Sequence, residues 1–250
     1  MWEMTDNQET LEKGLKENGG AHKNYKMYTS MDRALEILLS GVLILGNGQK
    51  WNDKLDRNNM KRKEAFAACL SYSTSENIAM WMLYSGDNGK NGAALNFLPS
   101  VIKTFTKLDT IELGRFDDAS NQFKAFYELS AASKDFDVFL TDVVYIEELK
   151  NKVRLSYSGN YKNVDREMLA HKDIFFKKYP WSYEQECRLV VRLSDEWQMK
   201  AVENDLSNVR LKLPKDVLAK MKEDRLIRSP IYSRRVGYGV KSSLTGEVDW

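Results

Sequence analysis

Apolar residues recur along this chain with two spacings, one near 3.6 residues and one of 2, and the switches between them outline its elements. Tyr25 to Tyr28 reads as a short strand that runs into Thr29-Ser30-Met31-Asp32, where a hydroxyl cap and an early carboxylate suit a helix N-terminus. Leu35, Leu38 and Leu39 give that helix its stripe, Gly41 its stop, and Val42 to Leu45 a second strand closed by Gly46-Asn47-Gly48. The polar stretch from Trp51 through Asn52, Asp53 and Lys54 to Lys63 has no period and is expected to be a loop. Ala65 to Ser71 fits a buried strand. Ser73 and Glu76 have capping-box spacing before a helix with Ala79, Met82 and Leu83 facing the core and Trp81 and Tyr84 on a neighbouring face. Gly86, Gly89 and Gly92 make a turn into the strand Ala93 to Phe97. Further on, the pattern predicts a helix over 120–133, a strand over 138–146, a helix over 165–178 ended by Pro180, a strand over 209–213, and a helix opened by Pro214 with Val217, Leu218 and Met221 facing in.

The most informative stretch runs from Trp181 to Leu193 and is read as one strand. Alternation would put Tyr183, Cys187, Leu189, Val191 and Leu193 on an apolar face, with Glu184, Glu186, Arg188 and Arg192 together on the other. That charged row is either a wet sheet surface, its charges paired across strands, or the floor of a cleft.

Composition narrows the classes. The 250 residues are 42% hydrophobic, which fits a soluble globular domain, and 38 basic against 36 acidic residues leave a net charge of +2, too little to announce a nucleic-acid binder. No apolar run is long enough to cross a bilayer and the N-terminus has no leader pattern, so a cytoplasmic protein is expected. Residues 1–22 read as a polar tail or frayed helix, and 23–250 as a single domain. Cys69 and Cys187 are expected to be buried and reduced; with only His22 and His171 besides, a zinc site is poorly supplied. Near the C-terminus Arg225, Arg228, Arg234 and Arg235 interleave with Tyr232 and Tyr238, a mixture that suits RNA and equally a solvated edge strand.

Taken in order, Tyr28 before a helix, the Asn52-Asp53 loop, Cys69-Leu70-Ser71, Met80-Trp81-x-x-Tyr84, a glycine turn and Trp181-x-Tyr183-Glu184-x-Glu186-x-Arg188 resemble a bacterial family catalogued as a domain of unknown function, with the signature W-x-Y-E-x-E-x-R. The resemblance covers most of residues 25–240 and departs from the family's pattern at Lys54, where proline is expected. The same order is similar to that of ADP-ribosyltransferases, with Tyr28-Thr29-Ser30 as the first-strand motif, Ser73-Thr74-Ser75 as the middle one and Glu184-Gln185-Glu186 as the last.

The resemblance implies an α+β fold of split mixed and antiparallel sheets with flanking helices, and an enzyme that uses NAD as co-substrate and no metal. Glu186 would hold the ribose and stabilise its cation, and Glu184 would orient or deprotonate the acceptor. Tyr28, Trp81 and Tyr84 would stack on nicotinamide, Thr29 or Ser73 would hold ribose or amide, and Arg188 would pair with a glutamate. Tyr28, Trp81 and Glu186 are expected around one cleft, and Glu186→Gln is expected to leave the melting temperature nearly unchanged, since an exposed charge contributes little to the fold. Arg228, Arg234 and Arg235 would grip an RNA acceptor, with protein as the other acceptor class. The family resembled also implies a toxin of phage defence, held by an antitoxin and in some systems a chaperone. A metal-dependent nuclease and a non-catalytic interaction module are the competing readings.

Overall fold

Leu11 and Leu15, four residues apart on one face of helix α1 (Gln8–Asn18), are both fully buried, so the N-terminal segment is a docked amphipathic helix with a polar outer face. The structure is a computed structural model that describes residues 7–18, 20–49, 51, 65–75, 77–85, 91–117, 120, 122–169, 174–222 and 226–228. The fold is α+β, as expected, with one antiparallel and one mixed sheet. The chain forms two compact units. The first is built from Met1–Ala21, Ile44–Cys69 and Asp109–Arg210, the second from His22–Leu43, Leu70–Leu108 and Leu211–Trp250. Strands β2 (Val42–Gly46), β3 (Ala65–Ser71) and β13 (Asn208–Lys212) each carry the chain from one unit into the other.

In the second unit, β1 (Tyr25–Ser30) pairs antiparallel with β4 (Gly92–Phe97) along its whole length, and β14 (Leu226–Arg228) pairs with the other edge of β4. Helix α2 (Met31–Ser40) starts where the hydroxyls suggest: Ser30 is the N-cap and its Oγ accepts from Arg33 N–H at 3.3 Å. It ends at Gly41, left-handed at φ 68°, whose N–H donates to Ile37 O. Its buried stripe is Ala34, Ile37 and Leu38, and Leu39 is exposed. Helix α3 (Ile78–Tyr84) is capped by Asn77, whose Oδ1 accepts from Ala79 and Met80 N–H, in place of the Ser73 cap; Glu76 lies outside the described residues. Its buried face is Met80 and Trp81, opposite to the expected one, while Met82 and Leu83 are exposed. Helices α4 (Pro99–Phe105) and α6 (Lys215–Lys222) complete this unit.

The first unit holds the antiparallel pairs β5 (Thr110–Asp117) with β6 (Gln122–Ser130), and β7 (Phe136–Asp142) with β12 (Glu186–Leu193), besides helix α5 (Asp195–Glu203). A four-stranded mixed sheet is ordered β10 (Asn160–Asp165), β9 (Lys152–Tyr157), β8 (Val144–Glu148), β11 (Phe176–Lys178). Its core joins Leu11 and Leu15 to Val144, Ile146, Leu155, Phe175, Phe176 and Val190. Gly20, at φ +70°, lets the chain lie against β7, since a Cβ there would stand 2.5 Å from Leu140 Cβ.

Three expectations fail here. Residues 122–130 are a strand, because the helical reading overlooked the alternation that pairs Phe123 with Phe116 and Tyr127 with Leu113 across β5. The strand expected over 138–146 breaks at Val143, whose N–H donates to Glu186 O while Val144 N–H donates to Phe175 O, so β7 and β8 belong to different sheets. The helix expected over 165–178 is a short 3-10 turn (Arg166–Leu169) followed, past residues outside the description that include His171, by β11, which pairs parallel with β8. Among the described residues no helix is long and apolar enough to cross a membrane.

Candidate functional site

The stretch from Trp181 to Leu193 is two elements. Pro180, with φ preset and no N–H to give a ladder, opens a 3-10 helix, Tyr179–Glu184. Gln185 then takes a left-handed conformation (φ 44°, ψ 61°) and its N–H donates to Ser182 O, and β12 begins only at Glu186. Glu184 therefore does not share a strand face with Glu186. This compact turn brings Glu184 back towards β11, seven residues earlier, where Lys177 stands.

The two glutamates meet on one ammonium. Lys177 Nζ donates to Glu184 Oε2 at 2.5 Å and to Glu186 Oε2 at 2.9 Å. Arg188, the next residue on the same face of β12, donates from Nε to Glu186 Oε1 at 2.6 Å and from Nη1 to Ile174 O at 2.7 Å. Glu186 N–H donates to the Tyr145 hydroxyl at 2.9 Å, which ties the head of the strand to β8. Lys177 sits 5.1 Å above the Trp181 ring and Arg188 4.9 Å above the Trp51 ring. Glu184, Glu186, Lys177 and Arg188 are all buried, at 2%, 2%, 5% and 0% exposure. Three members of the expected row, Glu184, Glu186 and Arg188, thus form with Lys177 an enclosed, charge-balanced network, while Arg192 is half-buried outside it.

Electrostatics follows from that enclosure. Burial alone would push the Glu186 carboxyl up, but Arg188 and then Lys177 outweigh it, and the carboxyl is held well below its usual range and stays ionised. Cys69, on β3, donates its thiol to the same carboxylate. It was expected to be buried and is solvent-accessible, although protein surrounds it closely. That surrounding mass first, and the negative Glu186 second, raise its thiol well above its ordinary value. Cys187, buried as expected, is raised by burial and by Asp142.

The aromatic residues assigned to nicotinamide lie in the second unit. Tyr28 and Trp81 meet edge to face, with ring centroids 5.0 Å apart at 87°, and Met80, Ala94 and Tyr84 pack around them. Among the described residues Trp81 Nε1 is buried without a hydrogen-bond partner. Thr29 follows on β1, half-buried opposite Ala93. Ser73 is buried with its hydroxyl turned to Ser75, 3.1 Å from Ser75 Oγ and 3.2 Å from Ser75 O. The structure therefore brings Glu184 and Glu186 together in one unit and Tyr28, Trp81 and Tyr84 together in the other. Arg228 falls on β14, while Arg225, Arg234, Arg235, Tyr232 and Tyr238, like Asn52, Asp53 and Lys54, lie outside the described residues.

Lys177 is the residue that the sequence reading missed, because it was placed inside a helix. The apolar run Ile174-Phe175-Phe176 directly before Lys177, followed three residues later by Pro180, was the available signal for a short buried strand. Among the described residues no group of three metal-ligating side chains is assembled. Compared with protein-family models, with curated proteins and with solved structures, the chain matches none.

Proposed function

We propose that the chain is an ADP-ribosyltransferase that cleaves NAD and passes ADP-ribose to a macromolecular acceptor, RNA before protein, as a toxin of phage defence with a neutralising partner. The observation that carries the reading is Glu186: a buried carboxylate kept ionised by Arg188 and Lys177, with a second carboxylate on the same ammonium. When the nicotinamide–ribose bond breaks, its electron pair leaves with nicotinamide and positive charge develops on the sugar. A fixed anion stabilises that charge more than it stabilises the ground state. Glu184, once its share of Lys177 is relaxed, accepts the proton of the attacking acceptor group as the new glycosidic bond forms. In the second unit Tyr28, Trp81 and Tyr84 form an aromatic cluster, and among the described residues Trp81 Nε1 is a donor without a partner. Lys177 already bridges the carboxylates where a nuclease would place its cation, which favours transfer over metal-assisted hydrolysis.

The complete pairing of the carboxylates favours one other reading, a non-catalytic interaction module on this fold. The two separate on NAD labelled in its adenylate half. Wild type should release nicotinamide and label RNA, and Glu186→Gln, assayed below its own melting temperature, should lose at least about 100-fold in rate. No NAD consumption by wild type, or an undiminished rate in folded Glu186→Gln, refutes the transferase.

A further inference from the structure

A β-bulge in the first unit shapes a second candidate site. On β5 and β6, Leu113 pairs with Tyr127 and Gly114 with Ala125, so Phe126 is the extra residue and has no partner of its own. Gly114 permits it, for a Cβ there would lie 2.1 Å from Lys124 O. The bulge has two consequences. Phe126 is left 41% exposed, and the shifted register sets Arg115 directly opposite Lys124. Like charges facing each other across a ladder cost stability. Both are aimed at one ring, Arg115 at 5.3 Å and Lys124 at 5.6 Å from the Phe126 centroid, and neither forms a salt bridge among the described residues. A charged edge needs no such arrangement, since a single lysine protects a strand from pairing.

The same arginine lines a cavity of about 530 Å³ together with Asn47, Trp51, Phe116, Ser207 and Asn208, within the range of about 300–1,000 Å³ common for small-ligand sites. In its wall Asn47, only 3% exposed, is fixed by its N–H to Ser207 O and by its Oδ1, which accepts from Gln49 N–H. Among the described residues its Nδ2 is buried with no hydrogen-bond partner, an unusual expense for a fold and a donor left for a ligand. Trp51 lines this cavity and also carries Arg188 of the glutamate network 4.9 Å from its ring centroid.

Two cations that form no salt bridge among the described residues, set on an exposed ring beside a cavity with a tryptophan and a buried amide, are complementary to a polyanion that carries flat heterocycles. We propose that this surface binds a single-stranded polynucleotide, with phosphates on Arg115 and Lys124, one base stacked on Phe126, and a neighbouring base in the cavity against Trp51 with Asn47 Nδ2 donating to its edge. The site lies in the same unit as Glu186, and as the docking surface of the acceptor it rests on the transferase reading; the binding itself does not.

The test uses the full-length protein without NAD and fluorescein-labelled single-stranded RNA of mixed sequence, with the same sequence as DNA and as duplex RNA, followed by anisotropy across a salt series. Wild type should bind the single strands in preference to the duplex. Arg115→Gln with Lys124→Gln should lower the slope of log K against log salt by about 1.4, at roughly 0.7 per lost phosphate contact. Phe126→Ala should weaken binding about 5- to 150-fold and Phe126→Tyr restore it. All these side chains are exposed, so circular dichroism should match wild type. Absence of binding by wild type, equal binding of duplex, capture of an acidic polypeptide in place of the oligonucleotides, or slopes and affinities unchanged in every variant would each overturn the proposal. Nicotinamide release, measured separately on wild type, decides the transferase reading whatever the anisotropy shows.

Discussion

Replacing Glu186 by glutamine tests what the buried network does for the fold, and the structure reverses what the sequence implied. An exposed cleft carboxylate could be neutralised with little effect on stability, but Glu186 is 2% exposed and shared between Arg188 and Lys177. Glutamine keeps the shape and one acceptor oxygen for Arg188 while removing the charge, and Lys177 retains Glu184. Removing one partner of a buried pair costs about 3–5 kcal/mol, and the amide's residual acceptor argues for the lower end, about 3 kcal/mol. For a chain of this size each kcal/mol moves the melting temperature about 2–4 °C, so a fall of about 6–12 °C is expected. Thermal unfolding followed by circular dichroism near neutral pH, with the exposed Glu36→Gln as a control, measures it. The pH dependence has a definite sign. Because the folded carboxyl is held below its ordinary value of 4.5, its contribution is whole above that value, declines as pH falls below it, and is gone past the depressed folded value. The gap between wild type and Glu186→Gln should therefore narrow only on acidification below the ordinary carboxylate range. A shift under about 2 °C near neutral pH, less than the effect of one kcal/mol, would refute the reasoning and show that the network's desolvation cancels its pairing.

The two cysteines should differ in reactivity. Cys69 is accessible and Cys187 buried, so a thiol reagent on the folded protein should add a single label, at Cys69, slowly near neutral pH and faster as pH rises toward its raised titration range; peptide mass spectrometry showing Cys187 labelled first would contradict this. Gly20→Ala should destabilise the protein by about 1–3 kcal/mol, because it combines positive φ with a Cβ only 2.5 Å from Leu140 Cβ; urea unfolding with an unchanged midpoint would show that the segment relaxes freely.

Local signals were enough for the elements that depend on local chemistry. Ser30 and Gly41 bound α2 because capping is satisfied within a few residues, and the apolar runs at 42–45, 65–71, 93–97 and 209–212 are strands because nothing nearby offers those backbones another period. The pairing of Arg188 with a glutamate was also legible, since i and i+2 share a strand face. What failed depended on distant partners. Which side of α3 is buried was decided by β1 and β4, where Tyr28 and Ala94 receive Trp81. The helix expected over 165–178 lost to a parallel pairing with β8 that only the assembled sheet can offer. The candidate site itself was half visible: Glu184 and Glu186 were identifiable as residues, but Lys177 Nζ became their common partner only when the turn at Pro180 and Gln185 folded one carboxylate back onto a neighbouring strand. Residue types and spacing along the chain determined which charges are present; burial, and with it whether those charges are solvated or held ionised by one another, was decided by tertiary packing, because desolvation depends on the surroundings of a group and not on its sequence neighbours.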